Sequence, residues 1–198
     1  MRILIICQPR TGSTVFSKWL SKELNFQWIN EPFNRENPDS KKEIHDSFHN
    51  DNIVAKLIYE IGRGEWFYDK KIYDIRHLFS LNWDHIFILT RDDVSDQAIS
   101  NAWAGINRKW HVNYQLNDSW INQNKRIIEK YLNQLEIDKK FLKSIKHQQI
   151  TYEGIYQNKT DIEKICHILN IENLKYVSDL SNKNRYRGSK LEKNTKLI

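Results

Sequence analysis

Residues 2–7, Arg-Ile-Leu-Ile-Ile-Cys, form an unbroken apolar run. A run without polar alternation predicts a strand buried on both faces of a parallel sheet. Turn-forming and small side chains interrupt it over residues 8–14, Gln-Pro-Arg-Thr-Gly-Ser-Thr. Val15, Phe16, Trp19, Leu20 and Leu24 then recur at helical spacing. The chain therefore opens strand, tight loop, helix. A short second strand is expected over 26–29. An irregular or partly helical excursion carrying Pro32 and Pro38 is expected over 30–52, and a third strand over 53–58. A short helix is expected over 72–82. His-Ile-Phe-Ile-Leu-Thr at 85–90 predicts another buried strand ending at Arg91. Val94, Gln97, Ala98, Ile99 and Ala102 place a helix from about Asp93 to Ala104. Apolar positions from Ile121 to Ile145 predict one long helix or two consecutive ones between 118 and 146. A short strand follows over 149–152. Asp161 is positioned to cap a last helix carrying Ile162, Ile165, Ile168 and Leu169.

Strands that alternate with helices argue for an α/β fold. The expected architecture is a single-domain, P-loop-like three-layer fold: a central parallel sheet of about five strands with helices on both faces. Residues 1–180 make that domain, and the aperiodic residues 181–198 make a basic C-terminal tail or loop. A length of 198 residues suits one such domain. Ligands of these folds bind beyond the C-terminal ends of the strands, where the strand order reverses. Attention therefore falls on the loops at 8–14 and 91–95.

Composition narrows the classes. No stretch approaches the roughly 20 consecutive apolar residues of a membrane span, and the opening run is too short for a signal peptide. The cytoplasm is the expected compartment. Cys7 and Cys166 lie far apart, have no metal-ligand spacing, and read as small buried hydrophobes. A net charge of +6 favours anionic ligands. Lys183, Arg185, Arg187, Lys190, Lys193 and Lys196 concentrate that charge near the C-terminus. A nucleic-acid surface would interleave aromatics there, and only Tyr186 does so, which argues against nucleic acid as partner.

The 8–14 loop has the parts of an anion cradle. A strand-to-helix loop offers free backbone N–H groups and the positive end of a helix dipole. Gly12 allows close backbone approach, Ser13 and Thr14 add hydroxyls, and Arg10 adds a permanent forked cation. It is not a Walker A sequence, because no Lys precedes Ser13. Pro9-Arg10-Thr11-Gly12-Ser13-Thr14 resembles the 5′-phosphosulfate loop of sulfotransferases that use 3′-phosphoadenosine-5′-phosphosulfate, above all the bacterial carbohydrate type.

That resemblance implies a sulfotransferase, with Arg10, Thr11, Gly12, Ser13 and Thr14 holding the donor, Arg10 catalytic, and no metal. It implies an acceptor hydroxyl on a carbohydrate or other small molecule, and leaves room for a homo-oligomer. Leu89-Thr90-Arg91 and Gln97-Ala98-Ile99-Ser100 resemble the family's second motif, in which Arg91 and Ser100 would grip the 3′-phosphate. The pair is nine residues apart here and eight in many relatives. Glu31, in Glu31-Pro32-Phe33, resembles the glutamate that serves those enzymes as general base, with His45 and His49 as rivals. Phe33, Lys56 and Trp103 are candidates for the acceptor side. Lys56 lies inside a strand, where it either snorkels to the surface or lines the cleft. Gln149–Ile155 resembles the family's late Tyr-Glu-Asp-Leu segment with Gly154 in place of Asp, and reads as structural. Two other readings stand beside this one. One is an atypical P-loop kinase, whose Mg²⁺ ligands would be Asp92 and Asp93. The other is a non-catalytic nucleotide- or RNA-binding module, suggested by the charge.

Overall fold

Five strands hydrogen-bond in the order β2-β3-β1-β4-β5, each neighbouring pair parallel. They are β1 (Arg2–Cys7), β2 (Gln27–Asn30), β3 (Ile53–Ile58), β4 (His85–Thr90) and β5 (Gln148–Thr151). The computed structural model describes residues 1–31, 51–59, 79, 81–108, 116–172 and 174–175. The helices among these are α1 (Ser13–Leu24), α2 (Val94–Asn107), α3 (Asp118–Gln123), α4 (Lys125–Ser144), α5 (Tyr152–Tyr156) and α6 (Thr160–Leu169). No helix among the described residues is long and apolar enough to cross a membrane.

The unbroken apolar run of β1 has the physical reason expected of it, since both faces of the strand are covered. Ile3, Ile5 and Cys7 join Val54, Phe87 and Leu89 against Phe16, Trp19 and Leu20 of α1 and Ile162, Ile165 and Leu169 of α6. Leu4 and Ile6 point the other way, with Ala55, Leu57, Ile86, Ile88 and Leu142 of α4. The result is the expected three-layer α/β fold with a five-stranded parallel sheet. A satellite cluster joins Ala98, Ile99 and Ala102 of α2 to Ile128 and Leu135 of α4, so α4 packs on both the sheet and α2.

Element boundaries differ from expectation in a few places. The stretch 118–146 divides into two helices at Asn124, whose Nδ2 donates to Trp120 O at 2.8 Å. Helix α2 runs three residues past the expected end and is capped by Asp93, whose carboxylate accepts from the Asp96 amide. Asp161 is not the cap of α6. That position belongs to Lys159, and Asp161 instead accepts from the Thr151 amide at 2.8 Å and the Thr151 hydroxyl at 3.0 Å. The short helix α5 follows β5 directly, its first amides met by Thr151. The helix expected over 72–82 falls almost wholly outside the described residues, as do the tail at 181–198 and most of the excursion at 30–52.

Candidate functional site

The chain leaves β1 toward the β3–β2 side of the sheet and leaves β4 toward β5. The strand order therefore reverses between β1 and β4, and the crevice for a ligand opens above their C-terminal ends. The loop after Cys7 and the loop after Thr90 both lie there, as the sequence pattern anticipates.

The first loop is stitched down from several sides. Thr11 Oγ1 donates to Gln8 O at 2.8 Å, and Gln8 Nε2 donates to Leu135 O of α4 at 2.7 Å. Gln97 Nε2 of α2 donates to Pro9 O at 2.7 Å. Arg10, at φ 61, donates from Nε to Ser100 Oγ at 2.9 Å. Gly12 is the N-cap of α1 at φ 71 and, as a glycine, offers no side chain to cap it. Its carbonyl accepts from the Val15 and Phe16 amides. The Ser13 and Thr14 amides precede any intrahelical partner, so they and the helix dipole face the crevice as anion donors.

Lys56 completes the cradle from a neighbouring strand. It shares the α1 face of β3 with Val54, since side chains alternate along a strand. Its side chain is only 2% exposed. The ammonium donates to Thr14 Oγ1 at 3.0 Å and to Glu31 Oε1 at 2.5 Å. Of the two courses open to it, Lys56 takes the one into the cleft. Glu31, just past β2, has φ 45, and its amide donates to Lys56 O at 2.9 Å. Residue 56 thus holds Glu31 through both main chain and side chain. Cys7 lies beneath this group and donates from Sγ to Leu57 O at 3.2 Å. Burial pushes its thiol up to about 11, against a smaller opposing effect of the Lys56 charge.

Arg91 and Ser100, expected to grip one phosphate between them, are each engaged by another side chain. Ser100 takes Arg10. Arg91 pairs with Asp96, lies 4.0 Å from Glu153 Oε1, and stacks on the Tyr152 ring with its guanidinium carbon 4.4 Å from the centroid. Asp92 and Asp93, the Mg²⁺ candidates of the kinase alternative, are also engaged. Asp93 caps α2, Asp92 pairs with Lys139, and both backbone amides donate to the Glu153 carboxylate. Among the described residues no group of three or more His, Cys, Asp or Glu is arranged to hold a metal. Trp103 lies on α2 one turn past Ser100 and is half-buried. Phe33, His45 and His49 lie outside the described residues.

Tyr156 was not anticipated as part of the site. Its hydroxyl donates to Gly12 O at 2.6 Å, across 144 residues of sequence. Neither spacing nor composition marks such a contact. The close approach of its ring explains Gly12 as well as φ does: a β-carbon there would lie 2.6 Å from Tyr156 Cε2.

No family model matches the chain, and no curated protein does. Several solved structures resemble it. One is YorR protein from Bacillus subtilis in complex with phosphorylated GDP, 14% identical, covering 86% of this chain and 99% of that one, with a TM-score of 0.47. The other is deoxyadenosine kinase from M. mycoides with bound dATP, 18% identical, covering 86% and 100%, with a TM-score of 0.43. One of them holds phosphorylated GDP and the other is a kinase holding dATP, and the expectation of sulfuryl transfer from 3′-phosphoadenosine-5′-phosphosulfate is corrected on that finding. At these identities the likeness concerns the fold, and the chemistry has to be argued from the chain's own side chains.

Proposed function

We propose that the chain is a nucleotide-dependent phosphotransferase of an atypical P-loop type, binding the phosphates of a nucleoside triphosphate in the β1–α1 cradle. The observation that carries this reading is the Lys56 ammonium, 3.0 Å from Thr14 Oγ1 at the mouth of the cradle. A Walker A loop supplies its lysine from within the loop. This loop has none, and β3 delivers an ammonium to the first turn of α1 instead. Loop amides, two hydroxyls, a fixed arginine and a buried lysine together form a site for a multiply charged phosphate chain.

The reaction this arrangement suits is displacement at the terminal phosphorus. An acceptor hydroxyl oxygen bonds to phosphorus while the bond to the bridging oxygen breaks, and the nucleoside diphosphate leaves. Glu31 is the carboxylate nearest the cradle lysine and would take the hydroxyl proton. Lys56 and the loop amides would offset charge on the transferring group and the leaving phosphate. Asp92 and Asp93 do not fit a magnesium site, because the Asp93 carboxylate caps α2 and the Asp92 carboxylate pairs with Lys139 and Lys143. No step here runs through a metal of the protein's own.

Incubation with γ-labelled ATP or GTP, magnesium and a panel of nucleosides and sugars tests the proposal. Transfer of label to a hydroxyl compound, lost in Lys56→Met, is the expected result. No label transfer or triphosphate hydrolysis, alongside tight binding of 3′-phosphoadenosine-5′-phosphate, would overturn it.

A further inference from the structure

Helix α5 is five residues long, yet it touches both loops of the crevice. At its start Glu153 accepts the amides of Asp92 and Asp93, at 2.9 and 3.2 Å. At its end the Tyr156 hydroxyl donates to Gly12 O at 2.6 Å. The Tyr152 ring lies between, 4.8 Å from the Tyr156 ring and stacked under the Arg91 guanidinium. Thr151 and Asp161 anchor the helix to the sheet end through the Thr151 amide and hydroxyl.

Trans peptide planarity gives the Gly12 contact a consequence. The Gly12 carbonyl and the Ser13 N–H belong to one rigid plane and point in opposite directions. Three donors hold the carbonyl: the Val15 and Phe16 amides and the Tyr156 hydroxyl. Fixing the carbonyl inward fixes the Ser13 N–H outward, toward the crevice. The two amide donors belong to α1 and move with it. Among the described residues, the Tyr156 hydroxyl ties that plane to another part of the molecule. Its ring also fills the space that a β-carbon at Gly12 would take.

We infer that Tyr156 is a positioning residue for the phosphate cradle: through the Gly12 carbonyl it orients the Ser13 amide, and α5 thereby holds the β1–α1 and β4–α2 loops in one mutual geometry. This rests on the nucleotide reading for its ligand, but not for its geometry. The Tyr156 hydroxyl is committed to Gly12 O, so its loss acts on affinity through the orientation of a donor.

The test uses Tyr156→Phe, which keeps the ring and removes only the hydroxyl. Two quantities are read, the Kd for ATP with magnesium and the amide resonances of Ser13 and Thr14 in ligand-free protein. One net hydrogen bond of orientation predicts roughly a 3- to 10-fold weaker Kd. The Ser13 amide should shift while resonances of the β5 and α6 amides stay in place. A hydroxyl that merely stabilises the fold would lower the melting temperature and leave the Kd of the folded protein unchanged. Unchanged Kd with an unmoved Ser13 amide overturns the inference. If wild-type protein binds no triphosphate, the nucleotide reading falls, and the Ser13 resonance still decides whether Tyr156 sets that peptide plane.

Discussion

Lys56 donates to the hydroxyl of Thr14 across 3.0 Å, from the middle of a strand to the first turn of a helix 42 residues earlier. A buried ammonium is costly unless paired and hydrogen-bonded. Here Glu31 supplies the pairing and Thr14 the second acceptor. A core position could have been filled by an aliphatic residue at lower cost, as Val54 does two residues away on the same face. What lies in front of the charge is the first turn of α1, the anion site of the proposed function.

Glu31→Gln separates binding from chemistry. The amide still accepts from Lys56, so the cradle keeps its shape and triphosphate affinity should stay within about 3-fold. The amide cannot take a proton, and transfer to the acceptor should fall by roughly 10²–10⁴-fold. Steady-state kinetics with the acceptor found in the labelling screen measure the split. Equal loss in both quantities would assign Glu31 to binding alone.

Gly12→Ala should destabilise the fold for two reasons. The position has φ 71, and the new methyl would sit 2.6 Å from the Tyr156 ring. Strain of this kind costs about 1–3 kcal/mol, which lowers the melting temperature by roughly 2–12 °C in a chain of this size. Thermal denaturation of Gly12→Ala beside Gly12→Ala/Tyr156→Phe checks the cause. The double variant should still melt low, because the ring remains.

Cys7 makes stability fall at alkaline pH. Its thiol is pushed up from 9.0 to about 11, chiefly by burial. Because the folded state holds the proton more tightly, this contribution is fully present below about pH 9 and is lost as pH rises toward 11. Two pH units correspond to roughly 3 kcal/mol. Urea denaturation at pH 8 and pH 10.5 should show a steeper loss in wild type than in Cys7→Ala. Tyr156, whose hydroxyl burial also pushes up, adds a loss that both proteins share. Identical slopes would mean that the thiol is more accessible than its position implies.

The scaffold was legible because it rests on local pattern. The apolar runs at 2–7 and 85–90 became the central strands β1 and β4, and the strand–loop–helix opening became β1 and α1. The start of α1 at Gly12, Ser13 and Thr14 followed from the same pattern. What the sequence concealed was long-range pairing. Arg91 and Ser100 were expected to converge on one phosphate because one strand-helix unit carries both, and the sequence did not show that Arg10 reaches Ser100 from a backbone at φ 61. Arg91 turns to Asp96 on the helix that follows it and to the Tyr152 ring. Asp161 looked like a cap because caps are local, yet Thr151 claims its carboxylate. Lys56 was ambiguous because strand periodicity does not say what stands opposite a side chain. Glu31, two strands away in the sheet order from β1, decides that question.

The most direct test of the central claim is calorimetric titration of wild type and Lys56→Met with ATP and GTP in magnesium, run beside 3′-phosphoadenosine-5′-phosphate. The loss of one charge-assisted hydrogen bond donor predicts a triphosphate Kd weakened by roughly 10- to 100-fold in Lys56→Met, with the bisphosphate binding less tightly than the preferred triphosphate in wild type. Equal triphosphate affinity in the two proteins, or binding of the bisphosphate alone, would contradict a phosphate cradle completed by Lys56 for a nucleoside triphosphate.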